Sequence, residues 1–177
     1  MVRIAAGTFE GMFIRALKVD EVVAAKLREA GFDIKRMEPS YSVEVWRKTL
    51  QIAAREYYGN LSPSAAEFEL GKRMVSGYFE TLVGKVMQAA MPFLSADTLC
   101  LRLPRFFSSG IVGDVKMPEV KKLGDKRYAV TLYGEQGVPW FTAGAIDTTL
   151  RLTKVKPTVQ VSEVKPEFFT VEVTWTV

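Results

Sequence analysis

The residues that could do chemistry in this 177-residue chain are few, and their spacing does not group them. There is no histidine and only one cysteine. Without histidine there is no Ser-His-Asp triad, no Cys-His pair, no histidine-ligated haem and no imidazole zinc site. One thiol makes neither an intrachain disulfide nor a thiolate metal cluster. Cys100 stands in Leu99-Cys100-Leu101, with Arg102 as its first positive neighbour. A reactive thiolate needs electropositive surroundings, so Cys100 reads as a small buried apolar residue. Acylation or redox sensing is the sharper alternative.

The carboxylates offer no acid–base pair. Glu67 and Glu69 are two residues apart and leave a helix on different faces. Glu119, Glu135, Asp147 and Glu163 are scattered among turns and strand ends. The run Gly7-Thr8-Phe9-Glu10-Gly11 has neither the Gly-Lys-Ser/Thr ending of a P-loop nor dinucleotide-fingerprint spacing. Gly71-Lys72 and Gly84-Lys85 fall within a predicted helix, so nucleotide hydrolysis is not indicated. No catalytic residue, cofactor or metal is expected.

The net charge is +4, from 24 Lys and Arg against 20 Asp and Glu. Residues 1–93 hold 13 basic and 11 acidic side chains and residues 94–177 hold 11 and 9. There is thus no basic arm to collect nucleic acid. The densest basic group is Lys116, Lys121, Lys122, Lys126 and Arg127. It reads as a solvated hairpin whose edge lysine protects, with an anion or phosphate-backbone patch as its rival.

Aromatic residues give the best pointer to a site. Trp140-Phe141 follows Pro139, and Phe106-Phe107 and Phe168-Phe169 are adjacent pairs. Neighbours on a helix or strand point in different directions, so one member of each pair is left for a pocket or subunit contact.

The elements that would position these residues change character near residue 110. Before it, apolar residues recur at helical spacing; after it, β-branched residues alternate with period two. Asp20 caps a helix over 21–30 that Gly31 ends, and Gly11–Leu17 is a strand or helical turn upstream. A second helix follows Ser42 and stops at Gly59-Asn60. Ser62-Pro63 opens a third that runs to Ala90 and stops by Pro92, with Phe68, Val75, Phe79, Leu82, Val86 and Phe93 as its main stripe. Gly71, Gly77 and Gly84 lie inside it, each costing about 1 kcal/mol against Ala. Close helix packing, or a ligand against the backbone, would offset that cost. A fourth helix spans Ser95–Phe107. Then come a hairpin, Asp114–Leu123 with Lys126–Tyr133, a helix over Trp140–Thr153, and a second hairpin, Pro157–Lys165 with Glu167–Val177. Helices followed by ββαββ make an α+β fold, a helical layer on one antiparallel sheet, in a single domain over 1–177.

The order resembles a family of uncharacterised paralogues of about this length, found chiefly in myxobacteria. Gly11-Met12-Phe13-Ile14 with Leu17, Leu70-Gly71-Lys72-Arg73 with Phe79, Gly84 and Lys85, and Leu103-Pro104 carry the resemblance. So do Phe141-Thr142-Ala143-Gly144 and the ending Phe169 to Trp175. The chain departs where the family pattern has a Tyr-Pro pair, with Pro39-Ser40-Tyr41 instead. More distantly, it is similar to the ligand-binding fold of bacterial haem-nitric-oxide sensors, vinyl-four-reductase-type domains and vesicle-tethering subunits. The resemblance implies a compact dimer-forming module with an apolar cavity between helices and sheet. Haem sensing is not implied, because the axial histidine is missing.

The expected function is that of a non-enzymatic cytoplasmic module binding a small apolar or amphipathic ligand or a protein partner, as a homodimer. Its candidate pocket or interface residues are Trp140, Phe141, Gly144, Gly77, Gly84 and Cys100. The alternatives are an enzyme with scattered carboxylate, Tyr or Lys chemistry, and anion or nucleic-acid binding through the Lys116–Arg127 hairpin. No window reaches 18 uninterrupted apolar residues, and Met1 to Ala6 does not read as a secretory signal.

Overall fold

The computed structural model describes residues 2–80, 82–134 and 137–176, at positions 82–84, 87 and 92 through the backbone alone. Its architecture is α+β. A short strand, β1 (Arg3–Ala5), lies at the centre of a small antiparallel sheet between β2 (Ser40–Ser42) and β3 (Ile111–Val112). Ile4 faces Tyr41 on one side and Ile111 on the other. Three strands this short carry no periodicity of their own, so the sheet was not predictable from the pattern.

The segment Gly11–Leu17, expected as a strand or helical turn, is helical. Helix α1 (Ala6–Phe9) continues into a wider π-helical stretch, Glu10–Ala16. The wide turns bury Gly11, Met12, Phe13 and Ala16 together. Helices α2 (Glu21–Glu29) and α3 (Val43–Tyr58) follow, capped by Asp20 and Ser42 as their sequences require. The Asp20 carboxylate accepts the Val23 amide at 2.9 Å and the Ser42 hydroxyl accepts that of Val45 at 3.2 Å. Such caps contribute about 1 kcal/mol each.

The predicted third helix is two helices, α4 (Pro63–Phe79) and α5 (Leu82–Ala90), followed by a short 3-10 turn, Met91–Phe93. The interruption after Phe79 ends the stripe. Phe79 is buried, whereas Val86 is 68% and Phe93 90% exposed. A face set by 3.6-residue periodicity does not survive a break in the helix. Helix α6 (Ala96–Ser109) starts at the Ser95 cap and buries Leu99, Cys100 and Leu103, with Pro104 inside it.

The C-terminal half is the expected ββαββ. Strands β4 (Glu119–Gly124), β5 (Arg127–Tyr133), β6 (Lys156–Val164) and β7 (Phe168–Thr176) form an antiparallel sheet in the order β4-β5-β7-β6. Helix α7 (Pro139–Arg151) connects β5 to β6. Strand β4 begins at Glu119 rather than Asp114, because residues 113–118 form an irregular strap. Tyr128, Val130 and Leu132 on β5 and Phe169, Val171, Val173 and Trp175 on β7 turn to one buried face.

Two apolar clusters result. The N-terminal one centres on Phe9, Phe13, Phe32, Tyr41 and Trp46, and the C-terminal one on Tyr128, Val130, Ile146, Val171 and Trp175. Helices α4 and α7 join them by crossing very closely. A Cβ at Gly71 would lie 1.9 Å from the Phe141 carbonyl oxygen, and one at Gly144 would lie 1.9 Å from that of Phe68. No real contact is that short, so both positions demand glycine. Neither carbonyl can withdraw without unwinding its helix.

Gly71→Ala and Gly144→Ala should each destabilise the fold by about 3 kcal/mol or more, at or above the upper end of ordinary overpacking. A Cβ at Gly7, in α1, would meet nothing within 4 Å, so Gly7→Ala should be neutral or stabilise by up to about 1 kcal/mol. Urea denaturation of the three variants checks the contrast.

Candidate functional site

Where the two clusters meet, the packing leaves a cavity of about 110 Å³. Each half supplies part of its wall. Ile4 comes from β1, Thr8 from α1, Trp46 from α3, Phe107 from the end of α6, Leu132 and Tyr133 from β5, and Phe141 and Thr142 from α7. The Trp46 and Phe141 rings stand edge to face, 5.7 Å apart and 89° between planes, which fixes both without closing the space. The strap contributes Val115, Lys116 and Pro118. The volume is smaller than the roughly 150 Å³ of an engineered apolar cavity that binds benzene, and it is well below the roughly 300–1,000 Å³ of drug-sized sites.

The wall is mostly apolar, and its hydroxyls are largely engaged. Thr8 Oγ1 donates to the Gly110 carbonyl at 3.4 Å, and Ser108 Oγ donates to that of Arg105 at 3.1 Å. Lys116 is the one charged residue among the described residues that line the space. Its Nζ stands 3.6 Å from the centroid of the Tyr133 ring and 3.0 Å from Glu119 Oε1. These neighbours hold Lys116 above its ordinary pKa, Glu119 contributing most, and the same lysine holds Glu119 below its own.

The structure disperses the six residues singled out from the sequence. Phe141 lines the cavity, while Trp140, beside it in the chain, is 38% exposed and lines none of it. Gly144 is occupied by the α4 backbone, and Gly77 packs on Ala16, with a Cβ there 2.5 Å from the alanine Cβ. Cys100 is fully buried in the C-terminal cluster. Gly84 lies on α5 with its surroundings outside the described residues. The other aromatic pairs split as their geometry requires. Phe107 lines the cavity and Phe106 packs on the C-terminal cluster. Phe169 is buried, and Phe168 stands on the opposite sheet face beside Tyr133. Trp46 and Tyr133 were not among the candidates, and Lys116 was singled out only within the basic hairpin, on the strand expected over 114–123. Only contacts distant in sequence bring the three together.

The remaining polar groups hold the fold together. Asp97, in the first turn of α6, accepts the Tyr128 hydroxyl at 2.6 Å and Lys122 Nζ at 3.4 Å, and Tyr128 stacks on Trp175. The Tyr128 hydroxyl is the main reason the Asp97 carboxyl lies below its usual range. Buried Asp147 takes a bidentate pair of bonds from Arg151, at 2.7 and 3.0 Å. In the basic hairpin, Lys116, Lys122 and Arg127 pair with Glu119, Asp97 and Glu172. Half-buried Glu67 is pushed above its ordinary pKa by desolvation. Among the described residues no three Cys, Asp or Glu converge as metal ligands, and no helix is long and apolar enough to cross a membrane.

Residues 3–176 match a protein family described as protein of unknown function (DUF2378). No protein with a curated description matches the chain. Solved structures share its fold at low identity. An oxygen-binding H-NOX domain related to soluble guanylate cyclases is 14% identical, with a TM-score of 0.68 over 97% of this chain and 93% of that one. A point mutant of T. tengcongensis H-NOX is 12% identical, with a TM-score of 0.68 over 97% and 96%. An H-NOX protein from S. oneidensis in the Fe(II)NO state is 11% identical, with a TM-score of 0.68 over 97% of each chain. At such identities the likeness establishes the fold and nothing of the ligand.

Haem, the group studied in several of these structures, does not fit this chain. There is no histidine to ligate its iron. Cys100, the only thiol, is buried and pushed up to about 12, mainly by desolvation and secondarily by Asp97. The cavity offers about 110 Å³, and Cys100 does not line it.

That thiol supplies a direct check. Only the thiolate reacts, and at pH 8 the native protein holds almost none. Labelling of Cys100 by Ellman's reagent should therefore proceed no faster than opening of the fold and accelerate with urea. Complete reaction of the native protein within seconds would contradict the burial.

Proposed function

We propose that this chain, which belongs to the DUF2378 family of unknown function, is a non-enzymatic module that takes a small apolar ligand into the cavity between its two halves. One observation carries the reading: the cavity is lined from both apolar clusters, and the one charged group among its described lining residues stands at the edge of the wall. A half-open hollow walled by both clusters is a place for a ligand to touch both halves at once.

The arrangement of the remaining ionisable groups speaks against the enzyme alternative. Asp97, Asp147 and Glu119 are each engaged by a named partner that tethers an element or a side chain. None reaches into the cavity. The far end of the basic hairpin likewise favours a solvated edge over a phosphate patch, since Lys122 and Arg127 pair with Asp97 and Glu172 on neighbouring elements. A cytoplasmic, reducing setting suits a lone buried thiol.

A homodimer is the second part of the proposal. It is supported by Val86, Phe93 and Leu101, which are 61–90% exposed along α5, the turn after it and α6. Apolar side chains exposed to that degree in succession are unusual on a monomer.

Native mass spectrometry of the purified protein tests both parts. A bound small molecule, released on denaturation, is the expected result, and it should be absent from a Val138→Phe variant, because Val138 also lines the space and the new ring would fill it. An empty protein that also gains nothing from equilibration with benzene or xenon would remove the ligand reading. A strictly monomeric mass at micromolar concentration would remove the dimer.

A further inference from the structure

Lys116 bears on what kind of ligand the cavity takes. The lining is mostly apolar with a few hydroxyls, and its one charged residue among those described is Lys116 of the strap, whose ammonium stands 3.6 Å above the Tyr133 ring, itself part of the wall. The cation is therefore held at the edge of the cavity by a contact that costs it no counter-charge. Its counter-charge comes from outside the lining, from Glu119 at 3.0 Å. Both partners of that ion pair are largely exposed, at 59% and 61% of their side-chain surface. Exposed pairs of this kind contribute little and exchange readily. A carboxylate thus already sits on the one ammonium of the described lining residues, supplied by the chain itself and weakly held.

We infer, resting on the ligand reading above, that the cavity takes a small apolar carboxylate whose hydrocarbon body fills the space and whose head replaces Glu119 on Lys116. The volume of about 110 Å³ limits the body to roughly five carbons, less than the benzene held by a roughly 150 Å³ cavity. A carboxylate gives the ammonium a charge-assisted hydrogen bond in place of the one to Glu119. A neutral head leaves that charge unused, and a cationic head opposes Lys116. The strap is suited to admitting such a ligand. Residues 113–118 form no regular element, Gly113 at its start has φ +114°, and Lys116 carries the strap's ion pair to Glu119 and its ring contact with Tyr133.

The test compares isovalerate with 3-methyl-1-butanol and isopentylamine, which share one hydrocarbon body, by protein-detected NMR titration of the full chain. Isovalerate should bind about threefold more tightly than the alcohol, and the amine should bind worst. Lys116→Gln should remove the preference for isovalerate over the alcohol. Glu119→Gln, outside the lining, should tighten isovalerate by freeing the ammonium, with no effect on the alcohol. A purely structural role for Lys116 could not move the two variants in opposite directions. Equal binding of acid and alcohol, indifferent to both substitutions, would overturn the carboxylate inference and leave the apolar-ligand reading intact. Preference for the amine would overturn it with the sign reversed. Binding of none of the three at tens of millimolar, together with no uptake of benzene or xenon, would overturn both.

Discussion

Everything in this fold hangs on two backbones touching. At the crossing of α4 and α7, Gly71 faces the carbonyl of Phe141 and Gly144 faces that of Phe68, each with no room for a Cβ. The contact is reciprocal, so a side chain at either glycine would force the two helices apart. Helix α4 is also bound to the N-terminal half, through Gly77 against Ala16 and Arg73 Nε donating to the Ala16 carbonyl at 3.0 Å. Helix α7 belongs to the other half, where Ala143, Ile146 and Leu150 are fully buried in the C-terminal cluster. The crossing is therefore the weld between two cores that otherwise pack separately.

The cavity is a consequence of that weld. Bringing α7 so close to α4 carries Phe141 across the boundary into the N-terminal cluster, against Trp46. The sheet remains attached to the far side of α7, and the strap between β3 and β4 bridges what is left. Apolar side chains from both halves meet there through the Trp46–Phe141 contact, and between that contact and the strap a hollow is left unfilled. A small apolar void at a junction is what such a construction leaves. Among the described residues, its one ionic feature is the lysine that the strap brings to its edge.

Comparison with the H-NOX structures sharpens the point. A TM-score of about 0.7 over nearly the full length coexists with 12% identity and with the complete absence of histidine. The architecture is shared while the sequence has diverged almost completely, and a fold does not fix the sites placed on it. In this chain the hollow at the junction is defined by its own residues, among them Trp46, Phe141, Tyr133 and Lys116.

Much of the architecture was legible in the sequence, and the reason is local. Asp20, Ser42, Ser62 and Ser95 cap the helices they precede because a cap needs only its own next three residues. The alternation from Tyr128 to Tyr133 and from Phe169 to Trp175 marks strands because neighbouring side chains must take opposite faces. The glycines in α4 signalled close packing, though not against what. The break after Phe79, the π-helical stretch and the three-stranded β1–β3 sheet were not legible, since each depends on partners far away in the chain. The candidate site divides the same way. Composition alone excluded histidine and multi-thiol chemistry, because absent atoms cannot react. Only the tertiary structure could separate Phe141 from Trp140 and Gly144, and join it to Trp46, Tyr133 and Lys116, because a cavity is made by surfaces that meet from opposite halves of the chain.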